Sequence, residues 1–390
     1  MKIANRMENL SSSVTMAITA KARELKAQGK DILSFSAGEP DFDTPQVIKD
    51  AAITAIQNGH TKYTAVEGTI ETKQAIIKKL KTDHNLNYEL DEIVVSNGAK
   101  HSLFNLFQCL IEKGDEVIIP APYWVTYPEQ VKYSGGTPIF IDTDDSTNFK
   151  ITVEQLKAVI TSKTKVLLLN TPSNPTGGVY SKEELLALAE VLKNTDILVL
   201  SDEMYEKIMY DNKKFTAVAS ISDDMFERTV TINGISKAVA MTGWRYGYVA
   251  TPKKELVKAM IKLQGQVTSN VNSITLDAAI AALDGSADKD IEMMRVEFEK
   301  RRNIVVKEFN EIKGLSCVNP DGAFYVFVNI KDITTDSMKF VADLLEQEGV
   351  AVVPGLAFGA DGYFRFSFAT DETTIRAGIA RIKRFVEENK

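Results

Sequence analysis

Lys237 is the side chain best suited to covalent chemistry. It follows the β-rich run 228–233, with Ser236 directly before it and Arg245 eight residues after it. A lysine amine at a strand end can form a Schiff base with an aldehyde, and a neighbouring hydroxyl and guanidinium can hold a phosphate. The simpler interpretation is a surface lysine in a loop. Other segments must decide between the two.

A carboxylate that could serve the same aldehyde follows another strand. Asp202 and Tyr205 come directly after the apolar run 197–200. The usual aldehyde cofactor is pyridoxal phosphate, whose pyridine nitrogen needs an adjacent carboxylate to stay protonated. Open α/β sheets bind ligands at the carboxyl ends of their strands, and Tyr205 could reach the cofactor's phenolic oxygen. The alternative is that Asp202 only caps a helix.

Asn174 lies in a turn that could bind both cofactor and substrate. The turn 170–177 follows the apolar run 166–169 and contains two prolines and a glycine, which make it stiff. The Asn174 amide could donate to the cofactor oxygen and to a substrate carboxylate. An ordinary turn is the competing interpretation.

A helix start could bind the phosphate. Gly98, Ala99 and Lys100 follow the strand 93–95 and open a helix with apolar periodicity. Backbone amides at a helix N-terminus bind phosphate, and glycine permits a close approach. Many turns between a strand and a helix share this pattern.

Together these segments resemble the class I aminotransferases of pyridoxal phosphate fold type I. The similarity is greatest to the bacterial and archaeal branch of aspartate aminotransferases. It runs through nearly the whole chain and includes further segments at 36–45, 62–64 with Gly68, 122–128 and 365–369.

The resemblance implies roles around the cofactor. Lys237 would form the Schiff base and act as general base and acid at the substrate's α-carbon. Asp202 would pair with the pyridine nitrogen, while Tyr205 and Asn174 would hydrogen-bond the phenolic oxygen. Trp124 would stack on the ring, although it could be a core residue. The phosphate would be bound by Gly98, Ala99, Lys100, Ser236, Arg245 and, from a neighbouring subunit of a homodimer, Tyr63.

The resemblance also implies a substrate site. Arg365 would bind the α-carboxylate through two parallel hydrogen bonds, and the Gly38 backbone would complete that site. Trp124 and Asn174 would also contact the substrate. Lys100, assisted by Ser13 and Thr15, would bind a second carboxylate. Lys100 could instead be a solvated lysine at a helix start.

The pattern of elements predicts an α/β fold. Seven apolar runs alternate mostly with helical patterns, which indicates a mostly parallel sheet covered on both faces. We predict pyridoxal phosphate fold type I, with a large cofactor domain at 47–290. A smaller α+β domain would combine 1–46 with 291–390.

Composition excludes several classes. The 390 residues carry a net charge of −7, which argues against a general nucleic-acid surface. Two cysteines cannot form a disulfide framework, and the three histidines show no metal-ligand spacing, so no metal site is expected. No apolar run is long enough for a membrane span, and the first 13 residues lack the apolar core of a secretory signal. We therefore expect a cytoplasmic protein without membrane or nucleic-acid partners.

These observations predict transamination between L-aspartate, or another acidic amino acid, and 2-oxoglutarate by a ping-pong mechanism. Broader or aromatic and prephenate specificity is one alternative. A carbon–sulfur lyase of the same fold is another, because fold alone does not determine chemistry. A ligand-sensing module of a transcription regulator is the third, but such modules follow a helix-turn-helix, for which the family match leaves no room. Tyr246 stands where an aliphatic residue is usual and is expected to need a polar partner.

Overall fold

The computed structural model describes residues 2–8 and 10–389. Its strands, in chain order, are β1 (Leu33–Ser34), β2 (Ile93–Ser96), β3 (Glu116–Ala121), β4 (Thr137–Asp142), β5 (Thr164–Asn170), β6 (Leu198–Asp202), β7 (Thr229–Gly234), β8 (Gly247–Ala250), β9 (Ser316–Cys317), β10 (Tyr325–Asn329), β11 (Val350–Ala351), β12 (Val353–Pro354) and β13 (Tyr363–Ser367).

Most helices begin at a residue whose side chain accepts a backbone N–H of the first turn, as Thr69 and Ser181 do. The helices are α1 (Val14–Ala27), α2 (Gln46–Gln57), α3 (Ile70–His84), α4 (Ala99–Leu110), α5 (Thr126–Tyr133), α6 (Val153–Val159), α7 (Lys182–Leu192), α8 (Asp223–Arg228), α9 (Lys254–Val267), α10 (Ser273–Leu283), α11 (Asp288–Asn310), α12 (Ser337–Glu348) and α13 (Glu372–Glu388).

A seven-stranded sheet forms the centre of the molecule. Its strand order is β2-β8-β7-β6-β5-β3-β4. Only β8 runs antiparallel to its neighbours, so the predicted mostly parallel sheet is confirmed. β5 and β6 are apolar on both faces, as expected for strands covered by helices on either side.

The topology brings the predicted site segments to one edge. The carboxyl ends of β2, β5, β6 and β7 lie at the same edge of the sheet, because these strands share one direction. Ser96, Asn170, Asp202 and Gly234 end these strands. Segments that lie far apart in the sequence therefore meet in one crevice.

The smaller sheet is antiparallel, with strand order β12-β13-β10-β9, and it packs with α11, α12 and α13. β10 and β13 are its two longest strands and pair along their whole length. The two-residue strands β1 and β11 pair with each other and tie the N-terminal segment to this part of the chain. They are too short to show a periodic pattern.

Tyr246 differs from its expectation. It is fully buried, and its hydroxyl has no hydrogen-bond partner among the described residues. The ring packs in an apolar cluster with Tyr248 and Val239, so burial of aromatic area outweighs the unmet hydroxyl. Within the described residues, no helix is long and apolar enough to cross a membrane.

Candidate active site

A cavity of about 330 Å³ opens at the carboxyl edge of the large sheet. All predicted site residues except Gly98 and Tyr63 line it. The predicted residues in its wall are Ser13, Thr15, Gly38, Ala99, Lys100, Trp124, Asn174, Asp202, Tyr205, Ser236, Lys237, Arg245 and Arg365.

Lys237 lies in the loop after β7, and its Nζ donates a hydrogen bond to the carbonyl oxygen of Gly38. Burial lowers its pKa from 10.5 to about 8, although the nearby Glu39 carboxylate opposes this effect. Arg365 and Arg245 lower the pKa further. A substantial fraction of the amine is therefore neutral near physiological pH, as a nucleophile or base requires.

Asp202 ends β6 and is buried, with two donors holding its carboxylate. The Tyr127 hydroxyl donates to Oδ2 at 2.7 Å, and the Met204 N–H donates to Oδ1 at 3.2 Å. Burial raises the pKa of Asp202, while Tyr127, Met204 and Lys237 oppose that rise. Sequence reasoning missed Tyr127, whose only signal was its place in the segment 122–128.

Arg365 lies on β13 and is buried, yet no described carboxylate pairs with it. Its Nη1 donates to Asn174 Oδ1 at 2.9 Å, and its Nη2 donates to the Ser36 carbonyl at 2.7 Å. Its Nε has no partner among the described residues. Burying a cation without an anion is costly, so the arrangement suits an incoming carboxylate.

Tyr325, at the start of β10, is a further residue of the cavity wall. The Arg365 guanidinium lies over its ring, 4.4 Å from the centroid. Its hydroxyl is 2.9 Å from the Tyr205 hydroxyl. Tyr325 therefore connects the predicted carboxylate site to a predicted cofactor residue.

The helix start at Gly98 faces Arg245. Gly98 has φ +90° and precedes the first turn of α4. A Cβ at Gly98 would collide with the Arg245 guanidinium, so glycine is needed for this close approach. The first amides of a helix have no intrahelical partner, and here they lie beside a guanidinium and Ser236 in the same cavity wall.

Lys100 and Trp124 form the outer wall. The Lys100 Nζ lies 4.8 Å from the centre of the Trp124 ring. Partial burial lowers the pKa of Lys100, and Arg245 lowers it further. No described carboxylate pairs with Lys100. Ser13 caps α1 by accepting from the Met16 N–H at 3.4 Å, which brings Ser13 and Thr15 to the same opening.

Tyr63 lies away from this cavity. It is 91% exposed and contributes nothing to the site of its own chain. Its predicted role depends on a second subunit.

The family model for aminotransferase class I and II matches residues 30–382. The chain belongs to this aminotransferase family. It is 50% identical to an aspartate aminotransferase of Bacillus subtilis (strain 168), with full coverage of both chains. It is 48% identical to a probable aspartate/prephenate aminotransferase of Rickettsia felis, with 98% of this chain and 96% of the relative covered.

Solved structures agree with this family assignment. An aspartate aminotransferase from Rhizobium meliloti has a TM-score of 0.96 at 42% identity, with full coverage of both chains. The Thermus thermophilus enzyme with maleate has a TM-score of 0.94 at 39% identity, covering 98% of this chain and 99% of that one. The predicted fold type I is confirmed.

Aminotransferases of this family use pyridoxal phosphate, and the unmet groups of the cavity fit it. Asp202 is a buried carboxylate whose hydrogen-bond donors among residues 2–8 and 10–389 are all neutral, which suits a protonated pyridine nitrogen. The first amides of α4 lie beside Arg245 and Ser236 in the cavity wall, which suits a phosphate. Lys237 has the lowered pKa that covalent attachment to an aldehyde needs.

Proposed function

We propose that this aminotransferase transfers the amino group of L-aspartate, or another acidic amino acid, to 2-oxoglutarate by a ping-pong mechanism. One observation carries the choice of substrate. Two cations without carboxylate partners among the described residues, Arg365 and Lys100, line the cavity that also holds Lys237. A dicarboxylate substrate would neutralise both. The names of the relatives support the same choice.

Each cofactor-binding residue has a distinct task. When bound, pyridoxal phosphate supplies an aldehyde and a ring that withdraws electrons from the substrate's α-carbon. Asp202 would hold the ring nitrogen protonated, Tyr205 and Asn174 would donate to the phenolic oxygen, and Trp124 would cover one face. The phosphate would be held by Gly98, Ala99, Lys100, Ser236 and Arg245.

Lys237 would bind the aldehyde covalently and later move the proton. With substrate bound, the neutral amine would take a proton from the substrate's α-carbon and would deliver one to the cofactor's aldehyde carbon. Its contact with the Gly38 carbonyl keeps the amine beside the carboxylate site. Lys237 therefore remains within reach of the reacting carbon.

Substrate orientation would come from the two cations. Arg365 and the Gly38 backbone would hold the α-carboxylate, which aims the α-hydrogen at Lys237. Lys100, with Ser13 and Thr15, would hold the distal carboxylate. Because Ser13 and Thr15 lie at the start of α1, binding there would also draw this segment over the cavity and exclude water.

We also propose a homodimer in which Tyr63 contributes to the partner's phosphate site. The exposure of Tyr63 supports this, as do the exposed apolar residues Ile53, Ile56 and Ile70 near it in the chain. Sedimentation is expected to give twice the chain mass. Tyr63→Phe should weaken cofactor binding without dissociating the dimer.

We further propose two domains and a cellular location. The large cofactor domain comprises residues 47–290, and the small domain combines residues 1–46 with residues 291–390. A cytoplasmic location fits the two unpaired cysteines, Cys109 and Cys317, since a reducing compartment keeps thiols free.

An absorption spectrum tests the function. The purified protein is expected to show a visible cofactor band that bleaches with L-aspartate and returns with 2-oxoglutarate. A band that aspartate leaves unchanged would reject the substrate while keeping the cofactor. Release of ammonia, a keto acid and a thiol from a cysteine derivative, with the band kept in the absence of 2-oxoglutarate, would indicate the lyase alternative.

One observation favours broader specificity as a second candidate. A cavity of about 570 Å³ adjoins the first and shares Ser13 and Val125 with it. Phe104, Tyr123 and Tyr133 line it, so it suits an apolar or aromatic substrate side chain. Turnover of L-phenylalanine comparable to that of L-aspartate would support this candidate.

A further inference from the structure

The short turn after β6 presents side chains to two different surroundings. Asp202 and Tyr205, three residues apart, line the active-site cavity. Glu206 instead lies against α3 and borders a second cavity of about 150 Å³. Backbone hydrogen bonds from the Glu206 N–H to the Glu203 carbonyl and from the Ile208 N–H to the Tyr205 carbonyl keep the turn compact. A displacement of Glu206 would therefore also displace Asp202 and Tyr205.

Glu206 is held by two groups of α3. Lys79 Nζ donates to Oε1, and His84 Nε2 donates to Oε2 at 2.5 Å. Lys79 and Glu206 are both more than nine-tenths buried. Although burial favours the neutral carboxyl, Lys79 and then His84 lower the pKa of Glu206 well below its ordinary value. Glu206 is therefore a buried carboxylate whose stability depends on its contacts with Lys79 and His84.

The charges around Glu206 favour a structural ion-pair cluster over a metal site. The ligand atoms of Asp83, His84 and Glu206 lie within 4.8 Å of one another, which differs from the expectation that no histidine joins such a group. However, Lys79 lies 3.5 Å from Asp83, and Lys207 lies 2.7 Å from it. The two ammonium groups balance the two carboxylates, so a cation would have to displace them.

The 150 Å³ cavity beside Glu206 explains why the turn needs an additional restraint. Its wall includes Lys79 and Glu206 on one side and Ile235 and Ala238 of the Lys237 loop on another. Close packing normally restrains a turn, but here part of that packing is absent. Glu206 supplies the missing restraint through charge and hydrogen bonds.

We propose that Glu206 is a positioning residue, which holds Asp202 and Tyr205 in place for the cofactor from the side opposite the active-site cavity, through Lys79 and His84. The proposal rests on the cofactor roles proposed above for Asp202 and Tyr205. Glu206 itself touches neither cofactor nor substrate.

The test compares Glu206→Gln with Asp83→Asn, which removes a carboxylate of the same cluster that does not contact the turn's cofactor residues. Two quantities are measured: the dissociation constant of pyridoxal phosphate from the cofactor-free protein, and the pH midpoint of the visible cofactor band. Glu206→Gln should raise the dissociation constant about tenfold, the effect of one charged hydrogen bond, and should shift the midpoint. Asp83→Asn should leave both within about twofold of the parent.

Several outcomes would overturn the proposal. If Glu206→Gln lowers only the melting temperature and leaves both cofactor readouts unchanged, the ion pair is structural alone. If that variant does not fold, His84→Gln replaces it, with an expected increase of about threefold in the dissociation constant. An unchanged constant there overturns the proposal too. Calorimetric binding of Zn²⁺ to the parent but not to His84→Gln would identify a metal site instead. Failure of the parent protein itself to bind pyridoxal phosphate would count against the proposed function.

Discussion

The two walls of the active-site cavity are built differently. The inner wall consists of Asp202 at the end of β6, Asn174 in the turn after β5, Lys237 in the loop after β7 and Arg365 within β13. All four are held by contacts from distant parts of the chain. The outer wall consists of Trp124 and of Ser13, Thr15 and Lys100, which lie in or beside the first turns of α1 and α4. The Ser13 cap bond is 3.4 Å long, and the adjacent Met16 is 70% exposed.

This difference suggests that the inner wall serves the reaction and the outer wall selects the substrate. Groups that act on the reacting atoms are attached to a rigid sheet, where small displacements are resisted. Groups that select the substrate lie at helix ends, which move more easily. Substrate preference can therefore change without altering the reaction.

The largest effect should come from the inner wall. Lys237→Ala is expected to lower kcat by about 10⁴-fold, because it removes both the covalent attachment and the base. Circular dichroism should show an intact fold, and Lys258→Ala, at an exposed lysine of α9, is the control. Full turnover by Lys237→Ala would disprove the mechanism.

The acidity of Lys237 gives a second test. Its pKa, lowered from 10.5 to about 8, corresponds to roughly 300-fold greater acidity than that of an ordinary lysine. Since only the neutral amine reacts, acylation of Lys237 in the cofactor-free protein should be half-maximal near pH 8, measured by mass spectrometry. Glu39→Gln should move that midpoint lower, because it removes a charge that favours the ammonium form. A midpoint near that of the exposed lysines would contradict the burial of the amine.

Arg365→Lys tests the paired N–H donors of the guanidinium in the inner wall. The variant keeps the charge but loses two parallel hydrogen bonds, so kcat/KM for L-aspartate should fall about 100-fold. The loss should be similar for amino acids with and without a second carboxylate, since all carry the α-carboxylate. Arg384→Lys, on a surface pair with Glu348, should have no effect. A loss confined to dicarboxylates would reassign Arg365.

Lys100→Met tests the outer wall and should affect kcat/KM for L-aspartate and for L-phenylalanine differently. We expect kcat/KM for L-aspartate to fall about 30-fold, with only a small change for L-phenylalanine, because one charge-assisted contact is lost. Lys157→Met, at an exposed lysine of α6, serves as the control. Equal losses for both substrates would place the Lys100 side chain, and not only its backbone amide, at the cofactor.

Ser13→Ala should give the smallest effect. The KM for L-aspartate is expected to rise about threefold with kcat unchanged, because one weak hydrogen bond at a helix start is removed. Ser12→Ala is the neighbouring control. A drop in kcat without a change in KM would show that Ser13 acts on the chemical step.

The sequence predicted the large sheet and most of the cavity wall. Each of β5, β6 and β7 is an apolar run followed by polar residues, and this pattern shows where a strand ends and which side chain follows it. Since parallel strands end at one edge, local patterns were enough to bring Asn174, Asp202 and Lys237 together. The family resemblance added Arg365, whose distance along the chain no local pattern bridges.

The tertiary structure alone decided which groups hold these residues. Tyr127 on Asp202, Tyr325 on Tyr205 and Lys79 on Glu206 join positions 75, 120 and 127 residues apart. The local pattern of a tyrosine or lysine is the same whether it faces solvent or a buried carboxylate. The sequence by itself therefore determined the strands and the reactive groups at their ends, while packing determined the burial and the partners that set their pKa values, because burial depends on contacts that exist only after the chain has folded.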